Sequence, residues 1–203
     1  MNTRYDVAGS QGMFQPGSDD KVLANKVGII LPSEMDEAEL VLLQKLYEAV
    51  LGRLPAGRIT MSLLRTWHRR WLGNVYSWAG QPRTVNMSKG GFPFAPSAQV
   101  PRLMSEFDAC LARYTPCINM DVEQVQEAIA VTHVEFILIH PFREGNGRIS
   151  RLLADVMAGQ SGRGPLDYSC WESNRDAYIA AIQHGLGRNY EPMKSWVEKA
   201  LRS

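Results

Sequence analysis

Residues 140–151 read His140-Pro141-Phe142-Arg143-Glu144-Gly145-Asn146-Gly147-Arg148-Ile149-Ser150-Arg151, and their types point to phosphate chemistry. His140 is a base that works near neutral pH. Glu144 offers the hard carboxylate oxygen that a phosphate-bound Mg²⁺ prefers. Gly145-Asn146-Gly147 permits tight, positive-φ backbone. At a helix start, such a run turns several N–H groups toward one point and makes an anion site. Arg148 and Arg151 are three apart, so they share a helix face and can grip phosphates. Generic phosphate and metal motifs do not fit. Gly145-x-Gly147 lacks the third glycine of a dinucleotide loop, no Gly-Lys-Ser/Thr follows, and a zincin needs two histidines on one unbroken helix.

The pattern around this loop predicts what must hold it. Val122, Val125, Ile129, Thr132 or His133, Phe136 and Ile139 recur at helical spacing, so a long apolar helix ends at His140, where Pro141 obstructs its continuation. A second amphipathic helix starts around Gly147, with Ile149, Leu152, Leu153 and Val156 as its apolar face. Upstream, Ser33 is expected to cap a helix whose first turns carry Glu34, Asp36, Glu37 and Glu39. Its stripe is Leu40, Leu43, Tyr47 and Val50, and Gly52 ends it. Thr60 is expected to cap another, with Leu64, Trp67, Trp71 and Leu72 buried. Val100, Leu103, Met104, Phe107 and Leu111 predict a third, and two more are expected near 172–186 and 192–201. Between Gly73 and Pro96, glycines and prolines flank two extended pieces, Arg83–Met87 and Phe92–Ala95, which predicts a loop with a small hairpin. Residues 1–20, rich in Gly, Ser, Asp and Gln, read as an irregular tail packed on the body through Tyr5 and Phe14. Residues 21–203 read as one mainly α-helical domain with a β-hairpin flap.

Composition excludes several alternatives. At 203 residues, with 45% hydrophobic and 21% charged residues, the chain is long enough to bury a core without metals or disulfides. A net charge of +1 gives no field for nucleic acid. No apolar run of membrane-spanning length exists. Cys110, Cys117 and Cys170 match neither a disulfide framework nor a zinc site, so they read as small buried residues in a reducing, cytoplasmic compartment. Of the remaining histidines, His133 reads as a satisfied buried residue, His68 as a support for Trp71 or the flap, and His184 as a surface residue.

The segment 140–151 matches the signature H-x-F-x-[DE]-G-N-G-R-x-x-R of the Fic family at every position. The resemblance extends to the run from Trp67 to Gly80, similar to the helix and turn before the family's flap, and to the flap itself, Arg83-Thr84-Val85-Asn86-Met87-Ser88-Lys89-Gly90-Gly91-Phe92-Pro93-Phe94. It implies the Fic fold, with a flap at about 83–96 and the signature loop at 140–151. It also implies AMP transfer from Mg-ATP to a Tyr, Thr or Ser hydroxyl of another protein. His140 would deprotonate that hydroxyl and Glu144 would hold Mg²⁺. Gly145, Asn146 and Gly147 would form the anion hole, and Arg148 and Arg151 would bind the β- and γ-phosphates. Phe142 would anchor the loop. The protein substrate would dock on the flap as an added strand, with Lys89 and Gly90 covering nucleotide and target. Gly185 stands where some members carry asparagine, so only Tyr178 is carried over from that helix as a nucleotide contact. The alternatives are transfer of UMP, phosphocholine or phosphate on the same scaffold, or a non-catalytic strand-binding module.

Fic enzymes are typically held off by a glutamate in a [ST]-x-x-x-E-[GN] motif that pairs with the second signature arginine, here Arg151. No complete copy occurs. Ser33-Glu34-Met35-Asp36-Glu37 comes nearest, but Ala38 follows. The resemblance therefore implies a toxin whose inhibitory glutamate arrives from a small helical antitoxin. An internal role for Ser33–Glu37 is the competing expectation.

Overall fold

Helix α4 (Val122–Ile139) runs through the centre of the computed structural model, which describes residues 6–7 and 10–201. Asp121 starts it with a capping box: its carboxylate accepts from the Gln124 N–H at 2.8 Å, and the Gln124 side chain accepts from the Asp121 N–H at 3.0 Å. Beyond the first turn the helix is apolar nearly all round, with Val125, Ala128, Ile129, Val134 and Phe136 fully buried. Such a helix has to be interior. It packs against α3 (Val100–Tyr114), α5 (Asn146–Gln160) and α8 (Glu191–Leu201). Truncating Ile129 to Ala there would cost about 2–5 kcal/mol.

The other expected helices are present with adjusted ends. In α2 (Met61–Leu72) the Thr60 hydroxyl caps the Leu63 N–H at 3.2 Å, and Leu64, Trp67, Trp71 and Leu72 are all buried. The 172–186 region divides into α6 (Ser169–Ser173) and α7 (Arg175–His184), and a 3-10 turn follows at Gly185–Gly187. Gly185 is fixed by packing, since a Cβ there would lie 2.2 Å from Val134 Cγ1.

Helix α1 (Pro32–Leu51) departs from expectation. Leu31 is its N-cap, Pro32 takes the first helical position and Ser33 makes no cap. Proline suits that position because its missing N–H would have no helical partner. The buried face runs through Met35, Glu39, Leu46 and Val50, while Leu40 is 63% exposed. The sequence offered a polar Glu39 and an apolar Leu40. The fold buries the former because it meets a charged partner from α5.

The flap is shorter than predicted. Strands β2 (Met87–Lys89) and β3 (Phe92–Pro93) form the hairpin, and Gly90 and Gly91, at φ 56° and 78°, make the two-residue turn. Consecutive positive-φ residues are what a type I′ hairpin requires. Arg83–Asn86 is irregular rather than a strand. A third strand, β1 (Asp6–Val7), lies antiparallel on the outer edge of β2, pairing Asp6 with Ser88 and Val7 with Met87. Tyr5 lies outside the described residues. Phe14, 37% exposed, bridges to Leu23, which packs against the core. Gln11 makes a further connection, accepting from Arg143 Nε through its carbonyl at 2.8 Å and from the Thr84 N–H through its side chain at 3.0 Å.

Cys117 is buried, whereas Cys110 and Cys170 are only partly covered. Among the described residues no helix is long and apolar enough to cross a membrane.

Candidate active site

The site is built where α4 ends. His140 closes the helix in the left-handed conformation, φ 51° and ψ 60°, an uncommon backbone state for a residue with a Cβ. Arg83 holds it there. This arginine is fully buried, and its guanidinium donates to the carbonyls of His140 (2.6 Å), Ile139 (3.2 Å), Val85 (2.6 Å) and Ala95. Its own N–H donates to the Pro141 carbonyl at 2.8 Å. A cation at the C-terminal end of α4 satisfies carbonyls that have no helical donor and complements the negative end of the dipole. The same four bonds tie both feet of the flap to the catalytic turn.

The side chain of His140 is equally constrained. Its Nδ1 lies 3.3 Å from the Ile137 carbonyl. Nδ1 is therefore protonated and donating, and Nε2 carries the lone pair. Phe94, just past β3, stacks on the ring with centroids 3.7 Å apart. Burial is the main cause pushing the imidazole pKa down to about 3, and the positive charges of Arg83 and Lys89 add to it.

Between α4 and α5 the loop folds around Asn146. Its fully buried amide accepts from the Phe142 N–H at 2.9 Å and donates to the Phe142 carbonyl at 2.8 Å. The Asn146 side chain thus clips the loop shut rather than facing the anion site. Phe142 is the apolar anchor, stacked on His68 at 4.0 Å. His68 accepts from the Gly80 N–H through Nδ1 at 2.8 Å, which leaves Nε2 to donate to the Glu144 carbonyl at 3.0 Å. Burial lowers its pKa to about 4, so the ring stays neutral and this tautomer persists. Gly145 caps α5 at φ 79°, and a Cβ there would lie 2.4 Å from Trp71. Gly147 has nothing within 4 Å of a Cβ position; the open space in front of it belongs to the cavity.

Of the predicted residues, His140, Glu144, Gly145, Gly147, Arg148, Arg151, Lys89 and Tyr178 line one cavity of about 410 Å³, beside Phe92, Phe94, Trp171, Glu172 and Arg175. Gly90 sits in the hairpin turn and is not part of this lining. Tyr178 contributes its ring, stacked on Trp171 at 5.0 Å, while its hydroxyl is 2.7 Å from His133 Nε2. His133, buried and 2.7 Å from the Ser150 hydroxyl through Nδ1, links α4, α5 and α7.

The two arginines are held differently. Arg148 lies over the Trp71 ring at 4.4 Å, 2.7 Å from Glu39 Oε2 and 3.3 Å from Glu144 Oε1. Arg151 lies over Tyr168 at 4.8 Å and pairs with the exposed Glu172 at 2.7 Å. Two cations, the amino end of α5 and an open glycine converge on one wall, with a neutral histidine nearby. That arrangement suits a polyphosphate and a proton acceptor.

Residues 58–158 match the model of the Fic/DOC family. The chain belongs to this family. Its Fic domain is similar to the protein adenylyltransferase VbhT of Bartonella schoenbuchensis, 28% identical over 75% of this chain but only 32% of VbhT. It is also similar to y4lH of Sinorhizobium fredii, named a probable protein adenylyltransferase, 29% identical over 89% of this chain and 91% of that protein. In structure it resembles the ADP-bound N-terminal Fic domain of a VirB-translocated Bep effector from Bartonella quintana, with TM-score 0.76, 26% identity and 92% of each chain covered. Two residues that organise this Fic domain's site were not legible as such in the sequence, Glu39 and Arg83; His68, read as a support for Trp71 or the flap, meets the Trp71 ring edge-on and also holds the Glu144 carbonyl. Of these three, Glu39 alone falls outside the segments singled out by the resemblance.

Proposed function

We propose that the chain transfers AMP from ATP to a hydroxyl of another protein. The convergence of His140, the amino end of α5, Arg148 and Arg151 on one cavity carries this reading. His140 Nε2 takes the hydroxyl proton as the oxygen attacks the α-phosphorus. The bond to the bridging oxygen breaks, and pyrophosphate leaves with its charge against the arginines and helix terminus. A histidine held neutral is in its working form throughout the physiological range, and phosphate charge beside it favours the imidazolium as the proton arrives.

Among the described residues no group of three or more His, Cys, Asp and Glu side chains could enclose a metal. Glu144 offers a cavity-lining carboxylate, which fits a Mg²⁺ carried in on the phosphates with water completing its shell. Such an ion would neutralise charge between the phosphates, and Glu144 would orient it.

The protein substrate is proposed to dock on the flap through a Tyr-, Thr- or Ser-bearing strand. Control is proposed to come from a small helical antitoxin that brings a glutamate to Arg151. Support comes from the exposed, exchangeable Glu172 that Arg151 now holds. Glu37 is exposed and does not line the cavity, which supports an inhibitor arriving in trans over internal inhibition by Ser33–Glu37. A reducing cytoplasm suits the three free cysteines.

The test is a lysate labelled with ATP carrying the isotope at the α- or the γ-phosphate. α-label should enter a protein band and γ-label should not; transfer of γ-label sinks AMP transfer. His140→Ala should lower labelling roughly 10²–10⁴-fold.

A further inference from the structure

Glu39 is 2% exposed on α1, outside the segment matched to the family model. Three contacts hold it. Oε1 accepts from the Tyr76 hydroxyl at 2.8 Å, Oε2 lies 2.7 Å from Arg148 Nη2, and the backbone carbonyl accepts from Trp71 Nε1 at 2.9 Å. Trp71 is also the ring beneath the Arg148 guanidinium and the wall that forces glycine at position 145. A carboxylate this deep is retained only with a partner, because an unpaired buried charge is strongly unfavourable.

We infer that Glu39 is a positioning residue for Arg148: from behind, it holds the guanidinium over Trp71 so that the remaining N–H donors face the phosphates. The inference rests on the phosphate-binding role given to Arg148 above. Direction is the decisive observation. Arg148 and Glu144 line the cavity, whereas Glu39 does not. A carboxylate on the ligand side would compete with phosphate for the arginine; one on the far side braces it. Guanidinium carries five donors in a rigid fork, so an ion pair through Nη2 to Glu39 restrains the group and leaves donors for the ligand. Glu144 grips Arg148 less closely, at 3.3 Å, and is the carboxylate assigned to the cation. With Glu39 in place, Glu144 can turn away while Arg148 keeps its anchor.

The test uses the full chain and a non-hydrolysable ATP analogue with Mg²⁺, with affinity read by calorimetry so that no turnover is needed. Glu39→Gln keeps the shape and the Tyr76 and Trp71 contacts but removes the charge, and should weaken binding about tenfold. In an Arg148→Ala background the same change should have no further effect. That non-additivity separates positioning from a general loss of stability, which would weaken both backgrounds alike. Unchanged or tighter binding by Glu39→Gln, with Arg148→Ala clearly weakened, overturns the inference. Normal affinity in Arg148→Ala would instead overturn the phosphate-binding reading itself. If Glu39→Gln does not fold, Glu39→Asp replaces it: one methylene shorter, it cannot span Tyr76 and Arg148 together. Wild-type affinity in Glu39→Asp would overturn the inference.

Discussion

The ring of Phe94 lies nearly parallel to the imidazole of His140, with 12° between their planes and 3.7 Å between centroids. The flap thereby closes one face of the proposed base and excludes the water that would stabilise its charged form. This explains the direction of the pKa shift, downward to about 3, with burial as the main cause. His68 and His133 are likewise lowered by burial, to about 4 and about 3. In NMR titration, the Cε1–H signals of all three should stay constant from pH 5 to 8. In Phe94→Ala, the His140 signal should begin to move within that window as solvent reaches the ring. Titration of wild-type His140 near 6.5 would refute the closed arrangement.

The same three rings make stability depend on pH. Each folded-state pKa lies below the unfolded value of about 6.5, so between the two the unfolded chain binds more protons and stability rises with pH. Asp155, raised to about 6 by burial, acts in the opposite sense between about 3.8 and 6, and Glu39, also raised chiefly by burial, acts with it, but these are two groups against three. Tm should therefore fall as pH drops from 7 to 5.5. Thermal melts that are flat or rising on acidification over this interval would contradict the assignment of three neutral buried histidines.

Arg83 sets up a second expectation. Replacing it by Met keeps much of the stem packing but leaves the carbonyls of Val85, Ala95, Ile139 and His140 without its donors. Hydrogen bonds from charged groups are worth about 1.5–3 kcal/mol each, and four are lost together. Arg83→Met should lose at least about 3 kcal/mol in denaturant unfolding. Protease should cut the flap before the rest of the chain does. A near-wild-type unfolding midpoint would mean that the flap and the catalytic turn are held by other contacts.

What could be read in advance divides along chain distance. The loop 140–151 was legible because its chemistry is contiguous, α2 because its cap and apolar period are local, and α4 because its apolar period is. Glu39 was not. On a helix, an acid among Glu34, Asp36 and Glu37 reads as one more charge near the positive end, and only the fold brings Arg148 to it from 109 positions along the chain. The role of Arg83 and the Glu144 contact of His68 were hidden for the same reason, since their partners are backbone carbonyls across the fold and a carbonyl has no letter in the sequence. Leu40 and Ser33 show the converse error: each has a type that suits its predicted local role, but tertiary contacts shifted the buried face and Pro32 shifted the cap.

Gly145 and Gly147 should respond differently to alanine. At Gly145, φ is 79° and the new Cβ would lie 2.4 Å from Trp71, so Gly145→Ala should cost both stability and nucleotide binding. At Gly147 the Cβ would meet nothing, and alanine is the better helix former by roughly 1 kcal/mol. Gly147→Ala should therefore be as stable as the parent or slightly more so. Under the proposed phosphate-binding role of this cavity wall, its methyl group would nevertheless crowd the phosphates, and nucleotide affinity should fall about tenfold or more. Undiminished affinity in Gly147→Ala would show that the phosphates lie elsewhere.

The flap gives the last prediction, because its two edges are unequal. Pro93 on β3 has no N–H to offer an added strand. The Phe94 N–H donates to the Met87 carbonyl at 3.0 Å, so by the alternation of an antiparallel ladder the Ser88 main-chain groups face the opposite side of β2. Asp6 pairs with Ser88 there. Under the proposed docking mode, a target strand entering on β2 must displace residues 6–7 of the chain itself. Proline at Val85 or Met87 would be a poor probe of docking: both side chains are buried, the Met87 carbonyl holds the hairpin, and the Val85 carbonyl accepts from Arg83. Ser88→Pro removes the outward donor alone. Deleting residues 1–9 should raise target labelling several-fold at low target concentration, with ATP affinity unchanged. Ser88→Pro should depress labelling in the full chain and in the truncated one. If truncation leaves labelling unchanged and Ser88→Pro labels normally, the target does not dock on the β2 edge.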